Sequence, residues 1–287
     1  MLKASREVLA GFATRPLNVA ANLASIVGLV VVVIAGFGWD SRILPLLYVC
    51  GLSLFLLIRY VRQERWARYA EGVQVMDRAQ RRLKEATDTT LFGEATKEMT
   101  LDRLQQGLSA FAEAFTLVTG TNCRASIKEV YVEDVLVTTG RAAALDFEKE
   151  LFVATIVRSD ADASARISSE IPDRVSENSD FKFVLSSIQP FHCGDLPKEW
   201  LARRYDNSHW HEGLRESRDF PYRSSIVWPI ESLRPGTSRD GDDGEEPVIA
   251  VLCVDSKRRH AFRPGADLQF GSLFAHAVYP VLRYERS

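Results

Sequence analysis

The amino-acid sequence predicts an α+β protein: an antiparallel sheet flanked by helices, preceded by a two-helix transmembrane hairpin and a connector helix. Three observations carry this expectation. Residues 17–39 and 43–58 contain no charged side chain. Leu101, Leu104, Leu108, Phe111, Phe115 and Val118 then recur at alternating spacings of three and four, an apolar stripe along one helix. Finally, strand-like segments follow in the order helix, strand, strand, variable helical insert, strand, strand, helix, not in the strict βα alternation of a parallel sheet.

Taken in order, residues 1–16 form a basic N-terminal segment and 17–60 the hairpin, with spans at 17–39 and 43–60. The first run gives roughly 34 Å of helix, enough for a hydrocarbon core of about 30 Å. It is too long for a signal-peptide core and no A-x-A site follows it. The second run, 43–58, gives only about 24 Å and needs Arg42 and Arg59 to snorkel and Tyr60 to sit among headgroups. Lys3, Arg6 and Arg15 precede the first span, and Arg59, Arg62, Arg65 and Arg68 follow the second. The basic flanks place both termini in the cytoplasm, on an inner or plasma membrane crossed twice, with a tight turn at 40–42 outside. Within the first span, Ala20, Ala24 and Gly28 allow close helix approach, while Asn18, Asn22 and Ser25 form a polar stripe. That stripe fits hairpin packing or, in an oligomer, the lining of a pore.

Residues 61–97 read as the connector. Trp66, Tyr69, Val73, Met76 and Leu83 follow helical spacing with Gln80 interrupting, which suits a short parallel coiled coil or a helix packed on the following domain. The Thr-rich segment 87–93 is expected to end it. Residues 98–287 form the globular domain. Its first helix is expected to start at Thr100 and to end at Gly120. Cys123, Ala125 and Ile127 alternate with Arg124, Ser126 and Lys128 in the first strand, and residues 151–157 are apolar on both faces. Residues 133–146 and 160–180 read as loops, and the acidic, Gly-rich segment 239–246 as a hairpin loop lacking calcium-site spacing. Pro229 marks its strand, 225–230, as an edge or a bulge. An apolar strand at 247–255 and a helix at 268–283 close the chain.

Bulk properties narrow the function. The net charge of −2 and pI of about 6.3 leave no basic footprint for nucleic acid. Cys123, Cys193 and Cys253 are scattered and Cys50 lies in the second span, so no disulfide framework is expected and a reducing compartment is. No Walker loop, nucleophile elbow, kinase signature or H-E-x-x-H occurs, so no enzyme activity is assigned.

The run Val248-Ile249-Ala250-Val251-Leu252-Cys253-Val254-Asp255-Ser256, followed by His260-Ala261-Phe262 and a helix, resembles the last elements of a GAF domain. Ser225-Ile226-Val227-Trp228-Pro229-Ile230 resembles the strand before them, and residues 111–128 are similar to the family's first helix, glycine turn and first strand. The resemblance covers about residues 101–282. It implies a sheet of about five or six strands, the first and last helices on one face, and a ligand pocket on the other. Departures are visible. The Asn-Lys-Phe-Asp-Glu signature of cyclic-nucleotide GAF domains is absent, with Asn178-Ser179-Asp180-Phe181-Lys182 a loose echo. Residues 219–224 carry no thiol where free methionine sulfoxide reductases of this fold place one.

On this resemblance the pocket is closed by residues 180–222. Phe181, Phe191, Asp195, Tyr205, Asn207, Trp210 and Tyr222 are the expected ligand-binding residues, with His192 and Trp200 in the same insert. Packing as a second small core is the alternative for the same aromatics. His192, Cys193, His209 and His211 lack the paired spacing of a metal site, and none is assigned. Arg141, Arg158, Lys257, Arg258, Arg259 and Arg263 read as solvated surface, with 257–259 available to lipid phosphates or a nucleotide. Asp255 and Ser256 read as fixing a turn. The expected function is a membrane-anchored cytosolic sensory module that binds a small molecule, nucleotides among the candidates, and signals through a helical homodimer. Output would come from a separate protein. A ligand-gated, membrane-permeabilising effector is the alternative, and a methionine-sulfoxide-type reductase a more distant one. The sequence names no cofactor.

Overall fold

The structure, a computed structural model, describes residues 43–91, 96–132, 135–136, 150–160, 172–231 and 248–285. It divides into two compact units, Met1–Arg65 and Trp66–Ser287. The first apolar run, its small-residue and polar stripes and the turn at 40–42 lie outside the described residues, as do Arg141 and the loop at 239–246. The second run opens helix α1, Ile43–Leu91, which continues unbroken into the connector. No helix among the described residues is long and apolar enough to cross a membrane, so the transmembrane hairpin finds no support there. The physical reason is length: the uncharged part of α1 falls short of the hydrocarbon thickness. Its Leu54, Phe55, Ile58 and Tyr60 are nonetheless exposed.

The connector packs on its own domain. Helix α2, Lys97–Thr119, carries the predicted stripe, with Leu104, Leu108, Phe111, Phe115 and Val118 all buried. Against it α1 buries Gly72, Val75, Met76, Ala79, Leu83 and Ala86, again at 3-4 spacing. Met76 and Leu83 belong to the predicted stripe, but Trp66 is 74% exposed and Val73 faces out with it. Small residues decide the face. A Cβ at Gly72 would lie 2.6 Å from Val118, and one at Gly107 would lie 3.3 Å from Leu83. The two helices therefore run antiparallel in close contact. Helix α1 ends at Leu91, within the Thr-rich segment, after Thr87 and Thr89 have donated to the carbonyls of Leu83 and Glu85 (3.0 and 2.8 Å) inside its last turns.

Helix α2 starts earlier than Thr100. Thr96 is its N-cap, accepting from the Met99 N–H at 3.3 Å, and Thr100 lies buried one turn later. Thr96→Ala is expected to cost about 1 kcal/mol, read as a lowered denaturant midpoint. Thr100→Ala at an equal cost with Thr96→Ala silent would put the cap back at Thr100. At the other end Gly120 has φ 66° and donates to the Thr116 carbonyl at 2.9 Å, the left-handed cap the sequence predicts.

The sheet has seven described strands: β1 (Cys123–Val132), β2 (Val135–Leu136), β3 (Leu151–Arg158), β4 (Asp173–Arg174), β5 (Phe191–Cys193), β6 (Ser224–Ile230) and β7 (Ala250–Ser256). Six lie on one path, β4-β3-β1-β7-β6-β5, with β2 hanging from β1, and every pairing is antiparallel. Pro229 lies past the end of β5, whose partners on β6 stop at Val227. Short helices α3 (Ser179–Ser187), α4 (Leu196–Leu201) and α5 (Glu212–Ser217) build the insert, and α6 (Ala266–Glu285) closes the chain with Pro280 inside it.

Helices α2 and α6 cover one face of the sheet, and α1 packs on them. Cys123, Ala125, Ile127, Ile226, Trp228, Leu252 and Val254 meet Phe111, Phe115, Phe274 and Val278 there. Trp228 donates its indole N–H to the Leu268 carbonyl at 2.9 Å and lies against Gly271, where a Cβ would come within 2.1 Å of the ring. On the opposite face Val130, Val153, Val227, Val251 and Cys253 pack under Phe181, Val184 and Leu185 of α3. The alternation expected for β1 is therefore the one found. Strand β3 contains a register shift opposite Ile127 and Lys128: Val157 faces Ile127, while Thr155 faces Lys128. Ile156 and Val157 thus both pack toward the helices, and Arg158 emerges beside Ser126 on the insert side.

Candidate functional site

The insert does gather the predicted aromatics, but into a closed cluster. Trp210 lies at the centre, with ring centroids 5.7 Å from Trp200, 5.7 Å from Tyr205, 5.0 Å from Phe220 and 5.5 Å from Tyr222. Phe191 stacks on Tyr205 at 6.1 Å, and Leu196 fills the base. Phe181 sits in the neighbouring core beneath Lys128, whose ammonium is 5.0 Å from its ring. Asp195 caps α4, accepting from the Lys198 N–H at 3.3 Å, and pairs with Arg259 at 3.3 Å. Asn207 works inside the cluster, donating to the hydroxyls of Tyr205 and Tyr222 at 3.2 and 2.9 Å. Tyr205 donates in turn to the buried Asp180 carboxyl at 3.1 Å. Burial raises the Asp180 carboxyl and both phenols above their ordinary range.

A second polar group lies beside it. Asp173 receives Lys128 at 2.5 Å and His209 at 2.6 Å. Burial pulls the Asp173 carboxyl upward, yet the His209 hydrogen bond and the Lys128 charge outweigh it and hold it down at about 2. His192 lies 3.3 Å from the Phe262 carbonyl, remote in role from His209. Among the described residues, no group of three or more His, Cys, Asp or Glu is placed to hold a metal. Cys123, Cys193 and Cys253 are free thiols. Burial raises all three, Cys123 to about 11, which leaves them protonated and weakly nucleophilic at neutral pH.

The open space lies next to this cluster. A cavity of about 690 Å³ is walled by Thr121 and Asn122 after α2, Arg124 and Ser126 of β1, and Arg158 and Asp160 at the end of β3. Asp255, Ser256 and Lys257 at the end of β7 form its floor, and His209, Pro221 and Tyr222 bring the insert over it. Of the seven predicted ligand-binding residues, Tyr222 alone lines it. The polar lining follows from strand geometry: Arg124 opposes Asp255 and Ser126 opposes Arg158 in register, so their side chains share the insert face. Arg124 reaches Asp160 at 3.8 Å. Arg158 makes a single long bond, 3.5 Å to the Thr155 hydroxyl, and its buried Nε–H has no partner.

Asp255 is half-buried but enclosed by protein on its non-cavity sides. Burial, with the nearby Asp180 charge, pushes its carboxyl to about 6 against the opposing pull of a Ser225 hydrogen bond, Lys128 and Arg158. Its folded pKa lies above the unfolded value of about 3.9. The folded state therefore binds the extra proton, and stability should fall as pH rises from roughly 4 to 6, the loss persisting above that. Asp173 has the opposite sign: its contribution is complete above about pH 4 and is lost as pH falls toward 2. Asp255→Asn should reduce the slope between pH 4 and 6, to which the raised Asp180 carboxyl also contributes, and stabilise the chain at pH 7.5 by on the order of 2 kcal/mol. Urea titrations at several pH values measure it, and an unchanged slope would exclude Asp255 as its source.

Sequence reasoning passed over Arg158 and Asp255. Both were legible only as polar residues ending apolar strands, a pattern shared with solvated strand ends. The usable signal was the alternation Arg124, Ser126, Lys128, which repeats polar groups on a face that the insert must cover.

No family model matches the chain, and no curated protein matches it in sequence. Solved structures do. The GAF domain of the Acinetobacter phosphoenolpyruvate-protein phosphotransferase is 11% identical, covering 71% of this chain and 92% of its own, with a TM-score of 0.40. A second GAF domain is 12% identical over 72% of this chain and 87% of its own, TM-score 0.44. The free methionine-R-sulfoxide reductase of Neisseria meningitidis, solved with its substrate, is 13% identical over 76% and 92%, TM-score 0.41. These are likenesses of fold. The element order, the antiparallel sheet with α2 and α6 on one face, and the insert on the other make this an α+β domain.

Proposed function

We propose that this chain is a membrane-anchored regulatory module that takes up a small molecule in the cavity at the ends of β1, β3 and β7. The observation that carries the reading is that cavity: its volume is that of a small-ligand site, and its polar groups converge from rigid strands. A route outward exists. Thr121 and Asn122 in the cavity wall follow directly on Gly120, and Arg68 of α1 lies so close that a Cβ at Gly120 would meet its guanidinium at 2.4 Å. A ligand that shifts this corner shifts Arg68 and, with it, α1. Output then passes to a separate protein or to the bilayer, through paired α1 helices whose exposed Trp66 and Val73 offer a contact.

Native mass spectrometry of the full chain in detergent tests the reading. A bound small molecule that is released on unfolding is the expected result, and a chain that never carries or accepts one would sink it. The anchor is tested separately: in a background without native cysteines, Ser41→Cys should react with an impermeant reagent from outside and Ser287→Cys should not. Gly120→Ala is expected to cost at least about 1 kcal/mol, because φ 66° is unfavourable with a Cβ and Arg68 must move. Thermal unfolding of that variant reports the cost.

A further inference from the structure

We infer that the ligand of this cavity carries an oxyanion, a carboxylate or a phosphoryl group, received by the guanidinium of Arg158. The inference rests on the reading of the cavity as the ligand site. Its basis is an incomplete set of bonds. A guanidinium offers five N–H donors in a planar fork, and a buried donor without an acceptor is costly. Arg158 spends one donor on a 3.5 Å contact with Thr155, and its buried Nε–H meets nothing.

Among the described residues no carboxylate bonds to that guanidinium. Asp160, two residues on, reaches Arg124 at 3.8 Å instead. Asp255 stands on the far side of β1, in register with Arg124 rather than with Arg158. The lining holds three fixed cations, Arg124, Arg158 and Lys257, against the carboxyls of Asp160 and Asp255. A cationic guest would meet like charge. A planar or tetrahedral oxyanion accepts two parallel bonds from the fork. A cavity of about 690 Å³ suits a small molecule bearing that group.

Isothermal titration of the full chain with inorganic phosphate and with acetate, at fixed ionic strength in chloride, tests this. At least one anion should bind saturably at one site per chain, and whichever binds more tightly assigns the group as phosphoryl or carboxylate. Arg158→Gln should weaken binding at least tenfold, and Arg158→Lys severalfold, since it keeps the charge and loses the fork. Arg263→Gln, exposed and outside the cavity, should change nothing. Circular dichroism checks that each variant folds. If Arg158→Gln does not fold, the judgement passes to the unmutated chain, whose arginine Nε–H resonances must include one that shifts with added anion. Binding that survives in a folded Arg158→Gln overturns the inference. A neutral compound found in the cavity by native mass spectrometry, with neither anion bound, overturns it too but leaves the regulatory module standing. A chain that takes up no compound of any charge removes both.

Discussion

Phe111→Asp should abolish the folded domain, not merely separate subunits. Phe111 is fully buried (0% exposed), stacked on Phe274 at 4.3 Å, tilted against Phe115 at 5.0 Å and edge-on to Trp228 at 6.1 Å. A carboxylate there would have no partner and no water. The combined loss of the ring and burial of an unpaired charge is on the order of 5 kcal/mol or more, comparable to the whole stability of an ordinary domain. Leu104→Asp, equally buried, should behave alike. Far-ultraviolet circular dichroism and limited proteolysis give the readout. A variant that melts like the parent but sediments as a smaller species would instead place this stripe at an interface between copies.

Trp210→Ala should cost roughly 3–5 kcal/mol, the amount lost when a large aromatic leaves a cavity in a packed core. Trp210 is 6% exposed and Tyr205 2%, so the ring is a structural centre that four other aromatics lean on. Its indole N–H has no partner, which leaves ring packing as its whole contribution. Because Tyr222 touches both this cluster and the cavity, anion binding should weaken in step with stability and recover as the temperature is lowered. Binding lost at full stability would make Trp210 a ligand contact. Asn207→Asp should also destabilise: it removes the donor to two phenols and adds a charge near Asp180.

The fold was legible where one physical signal acted alone. The stripe on α2 is large, regular and apolar, and nothing competes with burying it. The C-terminal strand pair and the alternation of β1 were clear for the same reason. The connector misled because its packing face is written in Gly72, Ala79 and Ala86, which contribute closeness instead of hydrophobic area. Trp66 and Val73 look like anchors in the sequence and are exposed in the fold. The aromatic insert was recognisable as a unit, but composition does not say whether rings face each other or a cavity. Here they face each other. The charged lining was hidden because an arginine at a strand end looks the same whether water or an insert lies above it.

The register shift in β3 has a consequence for comparing this chain with others. Strict alternation counted from Val153 would carry Val157 to the insert side and bury Arg158 among the helices. One extra residue reverses the count, so a related strand that lacks it would still present its arginine to the cavity while being one position shorter. An ungapped alignment would then match that arginine to Val157, and the site would look lost where it is kept. Correspondence along this strand has to be counted backward from its C-terminal end, with the gap placed at Ile156.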